Sequence, residues 1–99
     1  MSERILMTPD ELNDGAAFLR NKLQEIQGEV NALKTKIDDV TSRWEGASQQ
    51  AFISQFDGEM YPILRDTMPE IIEGVATELD AAANAIRETD ASLASSFSG

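Results

Sequence analysis

Residues 12–46 read LNDGAAFLRNKLQEIQGEVNALKTKIDDVTSRWEG, and this stretch decides the fold. Its apolar residues recur at alternating intervals of four and three, which is the heptad spacing of a helix that packs lengthwise against another helix. One heptad position is occupied by Leu12, Leu19, Ile26, Leu33 and Val40. The other is occupied by Ala16, Leu23, Val30, Ile37 and Trp44. This unbroken series predicts one long amphipathic helix.

The residues just before the heptads carry the features of a helix start. Thr8 can cap the helix, Pro9 suits its first position, and Glu11 stands three residues after the cap. We therefore predict a helix over residues 9–42, about 50 Å long at about 1.5 Å per residue.

The heptad pattern stops at residues 43–46, where a turn is predicted. Gly46 is the natural residue there for a backbone conformation that side chains disfavour. A second apolar stripe follows at helical spacing and predicts a second helix over residues 47–92, with flexible ends outside the two helices. The stripe consists of Phe52, Phe56, Met60, Ile63, Ile71, Val75, Leu79, Ala82, Ile86, Leu93 and Phe97.

Two prolines interrupt the second predicted helix, and each costs about 3 kcal/mol in a helix interior. Pro62 and Pro69 are expected on the side opposite the apolar stripe, so that the unpaired carbonyls of Gly58 and Arg65 face water. Because prolines on an outer face bend a helix around its partner, we expect the second helix to be kinked. Its continuity through both prolines stays open.

The chain therefore reads as one all-α domain over residues 1–99, a hairpin of two long antiparallel helices. Two helices bury only one face each against one another, so part of each apolar stripe would stay in water. Pairing of two hairpins into a four-helix bundle covers that remainder. We predict such a dimer, with a core formed by Leu19, Leu23, Ile26, Val30, Leu33 and Ile37.

Composition argues against several classes of function. The chain has no Cys and no His, so thiol nucleophiles, histidine acid–base pairs and Cys/His zinc sites cannot form. Its net charge of −10 argues against nucleic acid as a partner, because phosphate binding depends on Lys and Arg. The carboxylates are interpreted as a solvated surface. We expect no enzymatic activity, no catalytic residue, no metal and no cofactor.

Trp44-Glu45-Gly46 lies in mid-chain between the two predicted helices. The tripeptide, the chain length and the lack of a signal-peptide core in residues 1–9 together resemble the WXG-motif family of early-secreted-antigen-like proteins. The resemblance covers essentially the whole chain. It implies synthesis in the cytoplasm without a cleavable signal peptide, export as a folded dimer by a type VII secretion system, and an association with virulence. It assigns Trp44 and Gly46 to a turn and secretion motif, and it favours a homodimer over a heterodimer with a paralogue.

In this family the export signal lies at the C-terminal end of the second helix. Its mycobacterial form contains a Tyr where this chain has Ile86, four residues before Asp90. Ile86, Asp90, Leu93 and Phe97 nevertheless match a related pattern of apolar and acidic residues, and their spacing places them on one helical face. A second helix matched to the first in length would end at Asp80, so this predicted export strip is expected to overhang the hairpin.

Two other functions stay open. An intracellular adaptor or chaperone could use a helical bundle to hold a client helix. A secreted membrane-active protein could open and insert its apolar faces, so the sequence leaves a contact with membranes undecided.

Overall fold

Two long helical runs joined by a turn make up the protein in a computed structural model, which describes the backbone of residues 7–98 and the side chains of residues 7–95. Helix α1 spans Pro9–Ser42. The second run comprises α2 (Ala47–Gln55), two π-helical turns (Phe56–Met60 and Ile63–Thr67) and α3 (Met68–Ser98). Residues 7–98 contain no strand, and the predicted all-α hairpin is confirmed. Helix α3 extends beyond the expected end at residue 92, since residues 93–98 hold neither Gly nor Pro to stop it.

Helix α1 begins with the capping arrangement that the sequence indicates. The backbone N–H of Glu11 donates to Thr8 Oγ1 at 3.1 Å, and the backbone N–H of Thr8 donates to Glu11 Oε2 at 2.8 Å. Pro9 occupies the first helical position, where a missing N–H has no partner to lose. The Glu11 N–H, which the helix itself leaves unpaired, is thereby satisfied.

The core of the hairpin is thin and rich in small residues. Ala16, Leu23 and Val30 are the buried apolar residues of α1, and all three come from one of its two heptad positions. Ala76 and Ala83 are fully buried in α3, which packs along α1. Because alanine keeps the helix axes close, the larger apolar residues remain at the flanks of the contact.

The first π turn accommodates Pro62. Gly58 is its middle residue and stands four residues before Pro62. In a regular α-helix the Gly58 carbonyl would meet the proline ring and would lack a donor. The widened turn avoids this conflict, and Tyr61 donates its backbone N–H to the carbonyl of Phe56, five residues back.

The second π turn repeats this arrangement seven residues later. Arg65 is its middle residue, Pro69 stands four residues after it, and Met68 donates its N–H to the Ile63 carbonyl. The helical run therefore continues through both prolines. The expected placement of the prolines on an exposed outer face is wrong, because Pro62 and Pro69 are both half-buried.

The π turns also bring the two halves of the second run into phase. Phe56 is 5% exposed and Ala76 is fully buried, so both face α1. An unbroken α-helix, at about 100° per residue, would place these two side chains about 200° apart. Each π turn takes in about one extra residue, which restores a common face. Pro69, one heptad before Ala76, shares that face, and this explains its burial.

The hairpin measures 77 × 24 × 21 Å along its principal axes, the dimensions of a single pair of helices. Each helix thus has one packed face, and its remaining surface meets solvent in the monomer. Within residues 7–98, no helix combines the length and the apolarity that crossing a membrane requires.

Candidate functional site

The turn between the two helical runs depends on Gly46. Its φ of 115° and ψ of −179° form a combination that glycine alone adopts without strain. On one side of the glycine, Trp44 N–H donates to the Thr41 carbonyl at 3.2 Å, and on the other, Gln50 N–H donates to the Gly46 carbonyl at 3.2 Å. The glycine therefore reverses the chain between two hydrogen-bonded ends, and this sets the position of Trp44.

Trp44 begins a row of aromatic rings at the tip of the hairpin. Its ring is tilted by 46° against that of Phe52, with 5.8 Å between the centroids. Phe52 stacks on Phe56 at 6.2 Å, and Phe56 stacks on Tyr61 at 5.9 Å. Phe56 is buried, whereas Trp44 and Phe52 each remain 38% exposed. The exposed end of the row therefore presents aromatic surface of the kind that is enriched at interfaces.

An apolar cavity of about 260 Å³ opens beside the Trp44 ring. Its walls come from α1, the turn and α2, and the lining residues are Lys36, Ile37, Val40, Thr41, Trp44 and Phe52. A hollow with apolar walls and an aromatic side suits an apolar side chain of a protein partner.

One edge of the hairpin is held by polar contacts between α1 and α3. Arg20 contacts two acids, with Nη1 at 2.7 Å from Asp80 Oδ2 and Nε at 3.0 Å from Glu73 Oε1. Asn13 Nδ2 donates to Asp80 Oδ1 at 2.6 Å. The hydrogen bonds from Arg20 and, to a lesser extent, from Asn13 lower the pKa of Asp80 below its ordinary value. The bond to Asp80 in turn raises the pKa of Arg20.

Lys34 forms the corresponding polar link closer to the tip. Its Nζ lies 3.3 Å from Asp57 Oδ1 in the second run and also pairs with Asp38 on its own helix. The Asp38 hydrogen bond is the main cause that raises the pKa of Lys34. Because the side chains of these pairs remain partly exposed to solvent, they align the helices more than they stabilise them.

The two heptad positions of α1 face different surfaces: one packs against α3 inside the hairpin, and the other is largely uncovered. The residues predicted as one common core therefore fall into two groups. Leu23 and Val30 belong to the position that packs inside the hairpin, and both are buried. Leu19, Ile26 and Leu33 belong to the other position and are less covered, because one hairpin cannot bury both. Ile37 shares the position of Leu23 and Val30 but lies near the tip, beside the cavity at Trp44, and is also less covered. Leu19, Ile26 and Ile37 are half-buried, and Leu33 is 44% exposed.

The flank of α3 adds to the uncovered surface. Ile71 and Val75 are exposed, the first to 61%. Leu79 lies on the same flank, and its Cδ1 stands 3.7 Å from the space at Gly15 that an alanine Cβ would fill. Gly15 and Arg20 lie on different sides of α1 by helical spacing, so this flank is remote from the ion-paired edge. The open apolar face, as we define it, comprises Leu19, Ile26, Leu33, Val40, Ile71 and Val75.

The predicted export strip lies toward the C-terminal end of α3. Ile86 is half-buried, whereas Asp90 and Leu93 are exposed. The helical spacing of these three places them on one side of α3. The side chain of Phe97 lies outside the described residues.

The hairpin contact extends farther along α3 than a second helix matched to α1 in length would predict. Arg87 Nη2 lies 2.7 Å from Asp10 Oδ1, in the first turn of α1. The expected start of the overhang at Asp80 is therefore wrong, and the overhang begins after Arg87. The π turns contribute to this shift because they take up residues without lengthening the helix in proportion.

Some contacts at the tip of the hairpin have no clear sequence pattern. Gln49 Nε2 donates to the Thr41 carbonyl at 3.0 Å, and Thr41 is buried although it stands outside both apolar heptad positions. The contact joins residues eight apart across a turn, so helical spacing does not reveal it. Within the described part of the chain, no group of three or more acidic side chains is arranged to hold a metal ion.

Comparison with known sequences places this geometry in a family. The WXG100 family model, described as proteins of 100 residues with WXG, matches residues 4–91. YukE of Bacillus subtilis is 32% identical over 99 residues, all of both chains. An ESAT-6-like protein of Streptococcus agalactiae is 28% identical over 96 residues, which cover 97% of this chain and 98% of that protein.

Solved structures show the same fold. EsxA of Geobacillus thermodenitrificans superposes with a TM-score of 0.70 at 28% identity, over 95% of this chain and 99% of that one. EsxB of Bacillus anthracis, a secreted protein, has a TM-score of 0.68 at 32% identity, over 91% of this chain and 99% of its own. The residues matched by the family model include Trp44-Glu45-Gly46, and the chain belongs to the WXG100 family.

Proposed function

We propose that this protein is a non-enzymatic substrate of a type VII secretion system, exported as a folded dimer of hairpins. The observation that carries the proposal is the division of the hairpin into an ion-paired edge and the open apolar face. Membership of the WXG100 family supports it, as does the similarity to EsxB of Bacillus anthracis, itself described as a secreted protein.

A second copy is the occupant that fits the open apolar face. Full burial of a Leu, Ile or Val side chain contributes about 1.5–3 kcal/mol, and each copy offers several that are exposed or half-buried. Their sum over two copies can offset an association cost of roughly 4–15 kcal/mol. A two-fold axis uses the same face in both copies, so this chain alone is sufficient to form the dimer, and we propose a homodimer in preference to pairing with a paralogue.

The ion-paired edge then faces solvent in the dimer. Arg20, Glu73 and Asp80 satisfy one another within a single hairpin and need no partner chain. With a net charge of −10 on each copy, repulsion between dimers opposes further association. Assembly is therefore expected to stop at two copies.

Two places on the hairpin are proposed as the surfaces that the secretion machinery recognises. The first is the tip, where Gly46 reverses the chain and the ring of Trp44 stays partly exposed. The second is the export strip of Ile86, Asp90, Leu93 and Phe97. Exposure of Asp90 and Leu93 beyond the Arg87–Asp10 contact supports this assignment.

The test is to follow the protein in its producing strain with and without the ATPase of the secretion system. We expect it in the culture medium when the ATPase is present and inside the cells when it is absent, with a cytoplasmic marker as the lysis control. Light scattering of the purified chain should give twice the mass of one copy. Retention in cells of both strains would favour the intracellular adaptor or chaperone instead.

Membrane activity is tested separately by leakage of a dye from liposomes. We expect none at neutral pH or after acidification. Leakage that appears on acidification, which neutralises the carboxylates, would indicate a membrane-active secreted protein.

A further inference from the structure

The C-terminal end of α1 leaves a shielded carbonyl to be satisfied. The last carbonyls of any helix lack partners within it. Here the last turn of α1 contains no basic side chain that could donate to these carbonyls. Arg43, which follows it, has left the helical conformation, with φ −102° and ψ 7°. Thr41, in that turn, is 5% exposed. A carbonyl in such surroundings needs a hydrogen-bond donor.

The Thr41 carbonyl accepts hydrogen bonds from Trp44 and from Gln49. Trp44 donates its backbone N–H at 3.2 Å, and Gln49 donates its side-chain amide at 3.0 Å. The first donor comes from the turn and the second from the start of α2. Thr41 is also fixed from its side chain, since its Oγ1 donates to the Ile37 carbonyl at 2.8 Å. The carbonyl oxygen of Thr41, at the end of α1, is thus hydrogen-bonded both to Trp44 in the turn and to Gln49 in α2.

Gln49 lies on the side of α2 that carries the ring beside Trp44. Phe52 follows Gln49 by three residues and therefore lies on the same side of α2. Its ring centroid is 5.8 Å from that of Trp44. Lys34 and Asp57 form the polar link between α1 and the second helical run. This link lies two helical turns from Thr41, on the side away from the tip. Gln49 thus supplies a polar contact of α2 with α1 at the tip, in addition to the apolar contact of the buried Phe56 directly after α2.

We propose that Gln49 is a positioning residue for export, because its bond to the Thr41 carbonyl holds Trp44 against Phe52 in the orientation that the secretion machinery recognises. The proposal rests on the recognition role proposed above for Trp44 and concerns how that ring is presented. Gln49 itself needs no contact with the machinery.

The experiment compares Gln49→Leu with Gln49→Lys and Gln50→Leu in the full chain. Leucine keeps most of the side-chain volume but has no donor, whereas lysine restores an N–H donor next to a helix C-terminus that favours positive charge. Gln50 is exposed, so its replacement is the matched control. Trp44 is the single tryptophan, and its fluorescence therefore reports the turn alone.

We expect Gln49→Leu to remain a helical dimer while its tryptophan emission shifts to the red and becomes easier to quench with acrylamide. Its amount in the medium should fall about fivefold, the change in an equilibrium constant that loss of one hydrogen bond typically causes. Gln49→Lys should recover both properties, and Gln50→Leu should behave as the unmodified protein.

Ala81→Gly tests whether a loss of stability alone could explain reduced export of Gln49→Leu. It weakens α3 at an exposed position far from the tip. If Ala81→Gly lowers the melting temperature as much as Gln49→Leu and lowers secretion equally, the positioning role is refuted. Unchanged fluorescence or normal export of Gln49→Leu would refute it as well.

Trp44→Ala, measured in parallel, separates this inference from the proposed function. Normal export of a folded Trp44→Ala protein removes the recognition role of Trp44 and the positioning role of Gln49 with it. Retention of Trp44→Ala together with normal export of Gln49→Leu removes the positioning role alone.

Discussion

Arg20 Nη1 stands 2.7 Å from Asp80 Oδ2, and this pair joins α1 to α3 along one edge of the hairpin. The contact lies on the side away from the open apolar face, so it can hold the two helices in register whether or not a second copy is bound. Its contribution depends on the ionised form of Asp80, whose pKa is lowered mainly by Arg20.

Replacement of Asp80 by asparagine should weaken the hairpin in a pH-dependent way. Because the pKa of Asp80 in the folded protein is below its ordinary value of 3.8, its carboxylate stabilises the fold above that pH. The stabilisation is lost as the pH falls through the lowered pKa. Urea unfolding of the unmodified protein and of Asp80→Asn should therefore differ at neutral pH and converge in acid. A difference that is the same at both pH values would show that the charge is not the cause.

Ile26→Asp should separate dimer formation from folding of the hairpin. Ile26 is half-buried on the open apolar face, so the new charge would meet the second copy. Leu23→Asp instead places a charge inside the hairpin and should cost several kcal/mol of folding free energy. We expect Ile26→Asp to sediment as a helical monomer at low micromolar concentration and Leu23→Asp to lose its helical circular dichroism.

The control for this pair is Gln24→Asp, which adds the same charge at an exposed position of α1. It should remain a dimer. An intact Ile26→Asp dimer would mean that the two copies meet through another surface.

Gly46→Ala should destabilise the protein through the backbone of the turn. The φ of 115° is a conformation that side chains rarely adopt, and forcing one there costs on the order of 1–3 kcal/mol. Gly28→Ala is the matched control, because Gly28 lies inside α1 with nothing within 4 Å of the added Cβ. It should stabilise the helix by about 0.5–1 kcal/mol. Thermal unfolding should therefore shift in opposite directions for the two variants, and equal shifts would contradict a role for the φ of Gly46.

Local patterns along the chain are sufficient to predict the helices and the capping of α1. The apolar heptads and the Thr8-Pro9-Asp10-Glu11 start act within a few residues, so the physics that places them is visible in the sequence. The division of the heptads between the hairpin core and the open face is not visible there. Leu23 and Ile26 are both apolar, and the difference between them arises from the second helical run.

The π turns likewise cannot be predicted from local sequence patterns alone. Pro62 and Pro69 indicate a disturbance in the helix, but the response of the backbone is also set by the need to turn Phe56 toward α1. That need follows from the relative rotation of two distant segments. The contact of Gln49 with the Thr41 carbonyl likewise exists only once the turn has formed.

The last prediction concerns the export strip near the end of α3. Asp90 and Leu93 are exposed and lie past the Arg87–Asp10 contact, so neither is expected to support the hairpin. Asp90→Ala and Leu93→Ala should change the free energy of unfolding by no more than about 0.5 kcal/mol, the usual range for surface positions. Both should nevertheless reduce the amount of protein in the medium, because an acid and an apolar side chain on one helical face would dock together on the secretion machinery.

Glu88→Ala is the matched control, since it removes an exposed acid of α3 two residues away from Asp90 and therefore from a different side of the helix. Deletion of Ser98 and Gly99 is a second control. Both controls should be exported normally and should melt as the unmodified protein does. If Asp90→Ala and Glu88→Ala are both exported at the level of the unmodified protein, the strip is not the export signal. An equal fall in both would indicate that the machinery responds to the acidity of this end, and not to the face that Ile86, Asp90 and Leu93 share.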